Sequence, residues 1–170
     1  MYRGNGQLNL MGIMRNIPTA IAVLNGSRDY PEIMGSVKFY QTQRGVLTVA
    51  EVFGLQPSFG YCNQPIFAFH IHEGRSCSGN GADSFSGAGS HYNPYNCPHP
   101  YHAGDMPPLF GTNGIAFLAF LTDRFTVEEI IGKTVIIHGK PDDFNTQPSG
   151  NAGNRIACGE ILPTKRTRIR

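Results

Sequence analysis

The residues most able to do chemistry in this chain are its histidines, and they are crowded. All six (His70, His72, His91, His99, His102 and His138) fall between positions 70 and 138 of 170. His70 and His72 flank Ile71 in an apolar run. In a strand, residues i and i+2 project to the same face about 7 Å apart, so two imidazoles there could converge on one ion. His99 and His102 form an HxxH pair with Asp105 three residues on. Two nitrogens and a carboxylate are one ligand short of a tetrahedral zinc shell. His91 could supply it. Imidazole has two nitrogens, and a His91 stripped of both protons could bind a second ion, joining the His70/His72 pair to the His99/His102/Asp105 set. His138, at the end of a later apolar run, would then complete four nitrogens around that second ion. Four imidazoles without thiolate suit copper, which cycles between two oxidation states. Three imidazoles plus Asp105 suit zinc, which does not cycle.

The elements that must position these residues read as strands. β-Branched and aromatic runs bounded by Gly, Pro, Asn or Asp occur at 19–24, 36–41, 46–53, 66–73, 114–121, 134–138 and 155–162. Several alternate with period two, as in Leu47-Thr48-Val49-Ala50-Glu51-Val52. A weaker candidate at 105–110 contains Pro107 and Pro108, which confines it to an edge or a loop. The one helical hint is 126–131, where Thr126 precedes Glu128 and Glu129 as a capped first turn would. The pattern predicts an all-β, immunoglobulin-like Greek-key sandwich or barrel of about eight antiparallel strands. Two long connections, 74–105 and 139–154, carry no strand signal. Loops of that length in a compact domain are functional when they are ordered, and the histidines are what would order the first.

Composition agrees. Charged residues are 15% of the chain, against about 25% in ordinary soluble proteins, and 21 Gly and 12 Pro supply many turns. This excludes coiled coils and helical bundles. The longest apolar stretch, 115–121, is far short of the ~20 residues of a membrane-spanning helix. The net charge is +2, but Lys165, Arg166, Arg168 and Arg170 crowd the last six positions, so the body is mildly acidic. Bulk charge therefore argues against a nucleic-acid partner. The tail reads as a solvated end, with docking to an anionic surface as the sharper alternative. Residues 1–20 hold no apolar run of signal-peptide length, which points to the cytoplasm. Against that, the four cysteines (Cys62, Cys77, Cys97 and Cys158) lack zinc-type CxxC spacing and could pair in three ways, and disulfides would equally fit an exported mature form.

The segments Phe69-His70-Ile71-His72-Glu73, Gly89-Ser90-His91-Tyr92-Asn93-Pro94, His102-Ala103-Gly104-Asp105, Val135-Ile136-Ile137-His138 and Gly150-Asn151-Ala152-Gly153-Asn154-Arg155-Ile156-Ala157-Cys158-Gly159 resemble those of copper/zinc superoxide dismutases, in the family's order, from about residue 20 to 161. The resemblance implies copper bound by His70, His72, His91 and His138, and zinc bound by His91, His99, His102 and Asp105, with His91 shared. It implies that Asp142 links a copper histidine, His70, to a zinc histidine, His99, fixing ring orientation by accepting their remote N–H groups. It makes Arg155 the arginine that attracts and orients superoxide, and gives His91 the role of proton donor. It pairs Cys77 with Cys158, a bridge tying the long loop to the last strand. Cys62 and Cys97 are extra, and both a second bridge between them and two free thiols stay open.

By the same resemblance residues 19–162 form the dismutase domain, between an N-terminal extension (1–18) and a basic tail (163–170), with a homodimer as one assembly. That extension and tail have no counterpart in the familiar eukaryotic pattern, and two further features depart from it. The loop from His138 to Arg155 is short and has no charged residue between Asp143 and Arg155, so steering of the anion falls mainly to Arg155. Met106-Pro107-Pro108 weakens the strand expected after Asp105. The alternative function is a non-catalytic, metal-binding or copper-chaperone module. That reading expects a preceding paired-cysteine domain and lost copper histidines. No cysteine precedes Cys62, and all the histidines are present.

Overall fold

In the computed structural model, residues 8–56 and 65–164 are described. They contain nine strands: β1 (Ala20–Gly26), β2 (Met34–Thr42), β3 (Gly45–Phe53), β4 (Ile66–Phe67), β5 (Phe69–His72), β6 (Leu109–Phe110), β7 (Ala116–Thr122), β8 (Thr134–His138) and β9 (Arg155–Pro163). Seven form one antiparallel sheet in the order β5-β8-β9-β1-β2-β3-β7, and β4 pairs with β6 in a separate ladder. The sheet curls, so residues from its two ends share one core. Phe69 and Ile71 of β5 and Ala116 of β7 join Leu24, Val37, Phe39, Val135, Ile137 and Ile161 there. Period-two burial produces this: Ala20, Ala22 and Leu24 of β1 are fully buried while Val23 between them is exposed. Among the described residues no helix is long and apolar enough to cross a membrane.

β5 and β8 are buried along both faces. Their inward residues fill the core, and their outward ones, His70, His72, Ile136 and His138, are covered by the two long connections. Ile136 packs with Phe85, Ala88 and Cys158 in a small cluster beneath the first connection. The Cys77–Cys158 disulfide, spanning 81 residues with Cα atoms 5.7 Å apart, pins that connection to β9. The short helix expected near 126 is α2 (Val127–Ile130). Its capping box has Thr126 N donating to Glu129 Oε2 at 2.6 Å, with Glu129 N donating back to Thr126 Oγ1.

Three elements differ from expectation. The strand expected at 66–73 is interrupted at Ala68, where the chain changes partners: β4 pairs with β6, β5 with β8, and Ala68 itself bonds to His138 and Lys140. The candidate at 105–110 survives only as Leu109–Phe110, after the two prolines that cannot donate to a ladder. A one-turn helix, α1 (Leu10–Met14), capped by Asn9, precedes β1 where no element was expected. Cys62 and the charged tail from Lys165 lie outside the described residues. Cys97 is a free thiol.

Candidate metal centre

The outer edge of β5 collects the site. The long connection runs along that edge twice. On the first pass His91 bridges to His72, with Tyr92 N donating to Ile71 O at 2.8 Å; on the second, Asp105 bridges to His70, with Ile71 N donating to Gly104 O at 2.9 Å. The second pass needs glycine at 104, because a Cβ there would lie 2.2 Å from the Ile71 carbonyl oxygen. His138 closes β8, and the register places Arg155, first residue of β9, directly across from it.

Two sets of four potential ligands result, each with its donor atoms within 4.8 Å of one another: His70, His72, His91 and His138, and His91, His99, His102 and Asp105. His91 belongs to both. All seven residues are buried.

The hydrogen bonds decide which nitrogen faces which set. His72 Nδ1 meets the Gly89 carbonyl at 2.9 Å and His138 Nδ1 meets the Gly153 carbonyl at 3.2 Å. A carbonyl can only accept, so both Nδ1 atoms carry the proton and both Nε2 atoms are bare lone pairs. Those lone pairs face each other at 3.3 Å. Asp142 accepts from His70 Nε2 and from His99 Nε2, each at 2.8 Å, which bares the Nδ1 of both rings. Three ring nitrogens, His70 Nδ1, His91 Nε2 and His99 Nδ1, are buried without a hydrogen-bond partner. His99 Nδ1 does lie 3.0 Å from Asp105 Oδ2, but two acceptors that close, aimed at a common point, repel unless a cation sits between them.

In the second set, neighbouring donors are 2.8 Å (His91 Nδ1 to Asp105 Oδ1), 3.3 Å (His102 Nδ1 to Asp105 Oδ2) and 3.5 Å (His102 Nδ1 to His91 Nδ1) apart. A tetrahedron with bonds of about 2.0 Å has edges of about 3.3 Å. Both donor sets therefore fit a metal ion.

Burial tunes the same atoms. It holds the imidazolium form of His138 down to a pKa of about 3, with the neighbouring His70 adding to the effect. Burial likewise lowers His70, His72 and His102. Burial alone would raise Asp105, but the His91 contact and the surrounding imidazoles outweigh it and lower its pKa. Asp142 is lowered further: burial opposes ionisation, and donors from His70, Phe144 N and His99 override it. At neutral pH His70, His72, His102 and His138 are therefore uncharged and Asp105 and Asp142 ionised, the forms that bind metal.

A cavity of about 480 Å³ opens onto His72, His91 and His138, with Arg155 in its wall. Arg155 Nη1 donates to the Phe85 carbonyl at 2.7 Å and Nη2 to the Gly89 carbonyl at 2.6 Å. His72, His91 and His138 are thus reachable by a small solute, as is His102 of the other set, whereas the His70 and His99 side chains are sealed at 0% exposure.

Sequence reasoning missed three residues. Arg124 Nη1 reaches the carbonyls of Pro100, His102 and Asp105 at 3.1–3.4 Å, strapping the loop of the second set to the end of β7. Asp83 forms an ion pair with Arg155. Gly150 leaves room for Asp142. Nothing in their local sequence marks these residues, because each acts across a tertiary contact.

Comparison with known proteins agrees. Residues 33–161 match the family described as copper/zinc superoxide dismutase (SODC). The chain is 34% identical over 145 residues to superoxide dismutase (Cu-Zn) 2 of Aquifex aeolicus, covering 76% of this chain and 80% of that protein. It is 32% identical over 158 residues to superoxide dismutase (Cu-Zn) A of Xenopus laevis, covering 84% and 95%. The Cu/Zn superoxide dismutase structure from Brucella abortus aligns with a TM-score of 0.69 over 83% of this chain and 98% of that one; at 23% identity, that likeness speaks to the fold. This chain belongs to the copper/zinc superoxide dismutase family.

Proposed function

We propose that the protein is a superoxide dismutase, converting two superoxide ions and two protons to dioxygen and hydrogen peroxide. His70, His72, His91 and His138 hold copper in this reading, and His91, His99, His102 and Asp105 hold zinc. Copper, when bound, supplies the one-electron couple that takes an electron from one superoxide and returns it to the next. The observation that carries the reading is His91, whose two ring nitrogens serve adjoining sets.

The remaining work falls to the chain's own groups. The Arg155 guanidinium lines the cavity, so it draws a small anion toward His72, His91 and His138 and orients it. His91 Nε2 has no hydrogen-bond partner, so it can hold a proton in one half of the cycle and release it to the departing peroxide in the other. Asp105, beside Nδ1, keeps the ring in place meanwhile. Asp142 locks the His70 and His99 rings with one carboxylate. The Cys77–Cys158 bridge anchors the connection whose Phe85 and Gly89 carbonyls grip the Arg155 guanidinium. The non-catalytic alternative is not favoured, since every residue this cycle needs is present.

The same proposal divides the chain into a dismutase domain at 19–162, an N-terminal extension at 1–18 and a basic tail at 163–170. The start of β1 at Ala20 supports the first boundary, and β9 ends at Pro163, one residue past the second. A homodimer belongs to the proposal as well, because Met34, Phe53 and Phe117 expose apolar surface on β2, β3 and β7, and such surface marks partner sites. The disulfide is compatible with an exported form, since such bonds persist in oxidising surroundings.

The test is superoxide consumption by protein loaded with zinc alone and with both metals. Turnover is expected only with copper present. Equal, negligible rates from both preparations would overturn the reading.

A further inference from the structure

Arg155 does not face the cavity as a free cation. Beyond its two carbonyl partners, Nη1 lies 3.3 Å from Asp83 Oδ2. The carbonyls are neutral and already fix the plane of the guanidinium. The carboxylate adds something they cannot, a full negative charge. Asp83 is itself aimed. Its Oδ1 accepts from Phe85 N at 2.9 Å, and its backbone is bonded in both directions to Asn80, at 3.1 and 2.9 Å. That turn leaves the other carboxylate oxygen directed at Arg155. The Asp83 side chain is 41% exposed and that of Arg155 20%, so the pair sits where solvent screens it only in part. Glu73 also lines the cavity, but Asp83 is the carboxylate in direct contact with the guanidinium, and no charged residue lies between Asp143 and Arg155.

We propose that Asp83 is a charge-tempering residue of the anion channel: it cancels part of the Arg155 field and so sets how strongly the cavity captures small anions. The inference rests on the dismutase reading above. With Arg155 as the main attractor, its partner carboxylate becomes the main control on attraction. Capture of superoxide and retention of bystander anions are both held below what the arginine alone would give. The two rise together when the charge is removed.

The experiment compares wild type with Asp83→Asn and Asp83→Ser, both loaded with copper and zinc. Each neutral side chain keeps an oxygen for the Phe85 amide, as turn-forming Asn and Ser do. Two quantities are read: kcat/KM for superoxide against ionic strength, and the Kd for azide, a monovalent anion probe, from titration of the copper absorption band. Both variants are expected to raise kcat/KM by roughly 2- to 5-fold at low salt, the scale of one charge in a focusing cleft. The gain should vanish as salt approaches ~1 M, where the screening length falls to about 3 Å. Azide should bind more tightly by a similar factor. Unchanged rates and azide affinity would overturn the inference. So would a fall in both variants, which would make Asp83 a support for Arg155's position instead. An inactive wild type would sink the dismutase reading itself, and an active wild type with indifferent variants sinks only this one.

Discussion

His138→Ala is expected to abolish copper-dependent superoxide consumption while leaving zinc in place. The asymmetry follows from set membership. His138 contributes to the four-nitrogen set alone, and its Nε2 faces that of His72 at 3.3 Å. His91, His99, His102 and Asp105 remain complete without it. Groups that merely touch a metal ligand cost ~10–100-fold in affinity or activity when lost, so deleting a ligand should exceed ~100-fold. The fold should survive. His138 lies at the end of β8 and lines the cavity, so truncation enlarges a solvent-reachable space and opens no dry void in the core. Metal content by mass spectrometry and turnover, measured on the same preparation, check both halves. Retained activity, or zinc lost along with copper, would contradict the ligand assignment.

Gly150→Ala is expected to damage both sets at once, from a position that touches neither ion. A Cβ at 150 would lie 2.0 Å from Asp142 Oδ1 and 2.7 Å from His99 Nε2, on a backbone with φ of +64°. The left-handed backbone alone costs an alanine about 1–3 kcal/mol. Displacing the carboxylate leaves the His70 and His99 N–H groups buried without acceptors, at about 1–3 kcal/mol each. The metal-free protein should thus lose several kcal/mol of stability, and both metal affinities should fall by ~10–100-fold. Gly132→Ala is the control. It shares a positive φ, +78°, but has nothing within 4 Å of its Cβ, so it should cost only the backbone contribution and leave metal binding intact. Chemical denaturation and competitive chelator titration of the two variants separate these outcomes.

Much of this was legible before folding. β-Branched and aromatic runs bounded by turn formers located β1, β2, β3, β7, β8 and β9 to within two residues, with alternation plain in β2 and β3, and the HxH pair announced a shared face on β5. The crowding of histidines correctly implied ordered loops. What stayed hidden depends on partners distant in the chain. The break at Ala68 exists because two different strands compete for that segment. The approach of His91 and Asp105 depends on two returns along one edge of β5, with Gly104 thin enough to permit the second. Asp83 and Arg124 look like ordinary loop charges until the fold brings Arg155 to one and three loop carbonyls to the other.

The account stands on one imidazole serving two ions. The direct measurement is anomalous X-ray diffraction from crystals of the copper- and zinc-loaded protein, with data on either side of each metal's absorption edge. It should place copper among His70, His72, His91 and His138, and zinc among His91, His99, His102 and Asp105, with a different His91 nitrogen directed at each. A single occupied set, or two ions with His91 bound to only one, would contradict it.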